Sequence, residues 1–148
     1  MMKLLFENKV NGIMGVLFFI GVFLVFFLSW KTDPNLKGTP LIPEWLSDWT
    51  DNVHNDRRRT GVPFIGLGLL AGMYLIYIKR TKVFYWGLVW FVLGFVVVIA
   101  EAVQYFLPSR SMDLKDIFWG GVGSTIGLGL PFVVWYSIKT FKRNSHWK

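Results

Sequence analysis

Four uncharged apolar runs dominate this chain: Val10–Trp30, Thr60–Ile78, Val83–Ala100 and Ile117–Ile138. A helix needs about 17–25 apolar residues to cross the ~30 Å hydrocarbon core of a bilayer, and each run reaches that length. In a chain of 148 residues, little sequence is left over for a separate soluble domain. The runs are continuous and lack the strict alternation that a membrane β-barrel requires. The expectation is an all-α polytopic membrane protein: a four-transmembrane-helix bundle forming one domain over residues 1–148. Its spans fall at about 10–30, 60–78, 83–106 and 117–138.

The first run is longer than the apolar core of a signal peptide. Ser29-Trp30-Lys31 offers no small-residue cleavage site, so the run reads as a retained span. The absence of cysteine excludes disulfides, thiol catalysis and thiolate-bound metals. The two histidines, His54 and His146, fall in a loop and in the tail, which gives no zinc site. No nucleotide-binding glycine loop is present, because the glycines lie inside apolar runs. Neither a metal nor a cofactor is expected.

A net charge of +7 would suit nucleic acid, but its distribution points to orientation instead. Lys3, Lys9, Lys79, Arg80, Lys82, Lys139, Lys142, Arg143 and Lys148 share one side of the four-span topology with a single acid, Glu7. The other basic residues share their side with the remaining acids. Lysine and arginine flanking spans favour the cytoplasm, so both termini are expected inside.

Residues 31–59 form the longest polar segment, opening on Asp33-Pro34-Asn35 turn chemistry. After Pro43, the spacing of Trp45, Trp49 and Val53 predicts a short amphipathic helix lying at the outer interface. Pro63 suits the first turn of the second span. The four residues Lys79–Lys82 force an antiparallel hairpin between spans two and three. Gly129 and Pro131 predict a bend in the last span. Gly68 and Gly72, and Gly123 and Gly127, form two Gly-x-x-x-Gly pairs that allow close helix packing, and the second span is the leading partner expected for the last.

One polar series stands out. Glu101 interrupts the apolar stretch from Val83 to Leu107, and ionisable groups in such segments mark functional sites by default. It lies about 27 Å along its helix from Val83, at 1.5 Å per residue, and so near the outer edge of the membrane. Gln104 follows on the same face, then Arg110, Asp113 and Asp116. Arg57 and Arg58, with Arg59, precede the second span on the same side. Asp113 or Asp116 also suits a plain helix cap, and Arg110 suits plain neutralisation of Glu101.

The series Glu101-x-x-Gln104, Arg110-x-x-Asp113-x-x-Asp116, Gly123 and Gly127 resembles the motif of VanZ-like membrane proteins. That family usually has an asparagine where Gly120 stands, and a histidine where Thr60 stands. The resemblance implies a bacterial plasma-membrane protein with a cell-envelope role, linked to teicoplanin susceptibility, and no defined reaction. Membrane lipid is the expected partner. The leading expectation is binding of an anionic lipid or lipid-linked cell-wall intermediate at the outer face, with arginines on the phosphate. The alternatives are an intramembrane enzyme acting on a lipid headgroup, with Asp113 and Asp116 holding Mg²⁺ through water, or a small subunit docking a partner protein or another copy through its glycine faces.

Overall fold

The computed structural model describes residues 2–31, 35–38, 42–52, 60–108 and 112–145. Among them are five helices and no strand: α1 (Met2–Trp30), α2 (Glu44–Thr50), α3 (Gly61–Tyr77), α4 (Val83–Gln104) and α5 (Leu114–Ser145). Three of these, α1, α4 and α5, are long and apolar enough to cross a membrane, with mean hydropathies of 2.6, 2.4 and 1.6. The fourth apolar helix, α3, has 17 residues and is shorter.

The outer surface is apolar. Phe19, Phe23 and Phe27 on α1, Phe91 and Phe95 on α4, and Val133 and Val134 on α5 are all exposed. A contiguous patch of that kind is rare on a protein in water. Helices that satisfy their own backbone hydrogen bonds carry such a surface into lipid without penalty.

α3 is the centre of the bundle and packs most closely on α5. The two run parallel, and small residues recur down the seam. A Cβ added at Gly123 would collide with the Gly61 carbonyl, and one at Gly127 with the Ile65 carbonyl. One added at Gly68 would lie 2.9 Å from backbone atoms of Gly127 and Leu128. Gly61, Ile65, Gly68 and Gly72 share one face of α3 by their spacing. Helices in lipid gain little from excluding water from each other, so backbone-to-backbone van der Waals contact is the main source of their association.

The glycine pairs are offset from a direct match. Gly123 faces Gly61, while Gly72 faces the Pro131 ring and Trp86, at 2.9 and 3.1 Å from a Cβ built there. Trp86 from α4 stands edge-on to Phe132, 5.1 Å between ring centroids. Leu93 and Val97 carry α4 into the same core beside Phe64, each 1% exposed or less. α1 is peripheral. It touches α3 where Gly21 meets Leu67, and Val25 is buried there.

Several boundaries differ from the sequence expectation. α5 is helical from Leu114 to Ser145, through Pro131 and into the basic tail. At 32 residues it is about 48 Å long, more than a bilayer core requires. Pro131 removes the donor to the Gly127 carbonyl, but its ring fills the notch left by Gly72, and the helix continues. α4 ends at Gln104, before Pro108, in a tightening turn with Phe106 N–H donating to Val103 O and Leu107 N–H to Gln104 O.

The α3–α4 hairpin closes as a Schellman motif. Arg80 N–H donates to Leu75 O (2.9 Å) and Lys79 N–H to Ile76 O (3.1 Å). Lys79 takes φ 58°, the left-handed conformation that this position demands and that glycine adopts freely. α2 is the short helix expected after Pro43, whose carbonyl accepts from Leu46 and Ser47 N–H. The Asp51 carboxylate accepts from Leu36 and Lys37 N–H at 2.8–3.0 Å and ties the preceding loop to α2. Trp45 and Trp49 are exposed, while Ser47 and Thr50 are buried. Val53, the third residue of the expected stripe, lies outside the described residues.

Candidate functional site

The polar groups gather at one end of the bundle, where α1 and α4 finish and α3 and α5 begin. Glu101 is its centre. It sits on the inward face of α4, in register with Leu93, Val97 and Ala100, and is 2% exposed. Gln104, one turn on, donates from Nε2 to Glu101 Oε1 (3.1 Å) and to Ser29 Oγ of α1 (2.7 Å). Asp113 N–H approaches Glu101 Oε2 at 3.4 Å. Both carboxylate oxygens therefore face donors, which is what a buried carboxylate requires to offset its lost hydration.

Asp113 has a second task. Its Oδ1 accepts from Lys115 N–H (2.8 Å), which caps the first turn of α5. Its own carbonyl accepts from Asp116 N–H (3.0 Å). The capping role and proximity to Glu101 are thus combined in one residue: the side chain serves the helix and the backbone serves the carboxylate. Asp116 lies in the first turn of α5 and is half-buried, and a negative charge there suits the positive end of the helix dipole.

α1 supplies two contacts that sequence reasoning missed. Ser29 bonds Gln104, and Trp30 Nε1 donates to Ala100 O (3.1 Å). Trp30 also stacks on Phe26, 4.7 Å between rings. The dipeptide Ser29-Trp30 ends an apolar run, and nothing in the linear sequence connects it to residues some seventy positions later. Arg57, Arg58 and Arg110, the expected cationic part of the site, lie outside the described residues.

Gly120 and Thr60, where the resembled family has asparagine and histidine, are both described. Gly120 is buried against α4: a Cβ there would lie 2.7 and 2.8 Å from the two methyls of Val97. Valine is stiff about χ1 and cannot turn aside cheaply. An asparagine has no room at this position, and glycine is what lets α5 approach α4. Ser124, one turn later, is fully buried and donates to Gly120 O (2.9 Å). Thr60 occupies the N-cap of α3 without a side-chain cap bond. Among the described residues no group of three or more His, Cys, Asp or Glu side chains is placed to hold a metal ion. No family model matches the chain, nor does any curated protein or solved structure.

Proposed function

We propose that this chain is a VanZ-like protein of the bacterial cell envelope that binds an anionic lipid, or a lipid-linked cell-wall intermediate, at the polar end of its helix bundle. In this reading α1, α3, α4 and α5 all cross the plasma membrane, both termini face the cytoplasm, and α2 lies at the outer interface with Trp45 and Trp49 at headgroup depth. The observation that carries the reading is Glu101: a carboxylate 2% exposed, within one turn of the end of a membrane-length helix. A group so expensive to bury near lipid is kept for a purpose.

The division of labour follows from chain connectivity. Arg57 and Arg58 precede α3, and Arg110 lies between α4 and α5, so both connecting segments belong to the end that holds Glu101. Guanidinium groups bind phosphate through paired, charge-assisted hydrogen bonds. Glu101, Gln104 and Asp113 act as a fixed frame of acceptors and donors at that end of the bundle. The ligand test is identification by mass spectrometry of lipid retained by the purified protein. A polyprenyl phosphate or other anionic lipid, enriched over membrane composition and lost in Glu101→Gln, is the expected result. Bulk phospholipid unchanged by that substitution overturns the reading.

Orientation has its own test. The chain has no cysteine, so single cysteines introduced at Asn35 and Lys79 report cleanly. In intact cells an impermeant thiol reagent is expected to label position 35 and spare position 79. The reverse pattern places the polar cluster in the cytoplasm.

A further inference from the structure

A second feature lies at the opposite end of the bundle, away from Glu101. A cavity of about 370 Å³ opens between α1, α3 and α4, within the 300–1,000 Å³ range of ligand pockets. Its walls are almost wholly apolar, with Gly15 and Phe18 on one side and Leu88 and Val92 on the other. From Asn11 to Phe18 it runs about 10 Å along the helix axis, a large part of one leaflet's ~15 Å of hydrocarbon. The polar groups lie at the end nearer the α3–α4 turn, where Tyr74 Oη donates to Asn11 Oδ1 (3.3 Å). That bond leaves the Asn11 amide Nδ2 to donate to an ester carbonyl.

The α3–α4 turn follows directly on the end of α3 that lines the groove. The carbonyl of Leu75, itself a wall residue, accepts from Arg80 N–H. Lys79, Arg80 and Lys82 are all exposed. Arg80 is held in place: Nη1 donates to Tyr85 Oη (2.6 Å), and the guanidinium lies 5.1 Å from the Tyr85 ring centroid. Lys79 occupies a backbone position, φ 58°, that favours glycine. No acid occurs in sequence between Arg57 and Ala100, and Glu7 is the only one before Asp33. This end of the hairpin therefore presents exposed cations with no acid near them in sequence.

We infer that the α1/α3/α4 groove holds one acyl chain of an anionic glycerophospholipid, whose phosphate rests against the Lys79–Lys82 turn. The chemistry divides as it does for any interfacial lipid. The groove supplies apolar contact at acyl depth, and the turn supplies cations at the surface, where anionic lipids attract them. This site is separate from the polar cluster and does not depend on it.

Native mass spectrometry of the full-length protein, titrated in detergent with palmitoyl-oleoyl phosphatidylglycerol or phosphatidylcholine, tests the inference. Wild type is expected to retain one phosphatidylglycerol at least fivefold more readily than phosphatidylcholine. Combining Lys79→Gly, Arg80→Gln and Lys82→Gln should bring the two lipids level. Gly15→Leu should reduce retention of both at least fivefold by filling the groove. A Cβ at Gly15 meets nothing within 4 Å, so the helix accepts the change. Val92→Trp fills the groove from the other wall and serves if the first variant does not fold. Equal retention of the two lipids by wild type overturns the inference. So does retention unaffected by groove filling, which would place the lipid elsewhere on the protein.

Discussion

Replacing Gly123 by Leu is expected to lower the apparent melting temperature in detergent by roughly 10 °C. Gly123 lies where α5 crosses the first turn of α3, and a Cβ there would sit 2.9 Å from the Gly61 carbonyl carbon and collide with its oxygen. The obstruction is backbone, so no rotamer change relieves it, and the helices must separate along the whole seam. Overpacking of a tight site costs about 1–3 kcal/mol and more where nothing can move. At about 2–4 °C per kcal/mol for a chain of this size, the upper end of that range gives the shift stated. Gly129→Leu is the control. It is the same substitution on the same helix, at a position where a Cβ meets nothing within 4 Å. Its melting temperature should change by less than about 2 °C, since its side chain enters open space. Equal shifts at the two positions remove the packing argument.

The second large effect is at Glu101, where shape and charge are separable. Glu101→Ala deletes a buried side chain and strips two donors, Gln104 Nε2 and Asp113 N–H, of their common acceptor. A buried group left unsatisfied costs about 1–3 kcal/mol, so the loss is expected at about 3 kcal/mol or above. Glu101→Gln keeps the acceptor toward Gln104 and nearly the same volume, and should cost less than half as much. If the carboxylate is functional, the glutamine variant folds yet loses ligand retention and any effect on glycopeptide tolerance. If it serves only to join α4 to α5, glutamine preserves both. A folded glutamine variant with full lipid retention and an unchanged envelope phenotype therefore removes the functional role of the charge. Thermal melting read beside lipid occupancy distinguishes the two cases.

The linear sequence determined the helical class and the apolar segments, because backbone polar groups in lipid must be satisfied within the segment and an apolar run of such length has few other solutions. It also determined the α3–α4 hairpin, since four residues between two apolar runs leave no other path. Glu101 and Gln104 share an inward face for the same local reason, the periodicity of the helix. The two Gly-x-x-x-Gly faces also pointed to the pairing of α3 with α5, which the bundle bears out. The register between those faces was not legible, because the motif marks a face that can be approached closely without fixing which glycine meets which residue. Only the packed bundle decided that Gly123 meets Gly61, that Gly68 meets Gly127, and that Gly72 holds the ring of Pro131. The same holds for Ser29 and Trp30, brought to Glu101's helix by the docking of α1. Asp113 read equally well as cap or site from its position alone; the approach of α5 to α4 made it a cap whose backbone also faces the carboxylate. Helix periodicity is a property of a segment, whereas the register between helices is set by side-chain volumes on both, which is why tertiary structure alone decided it.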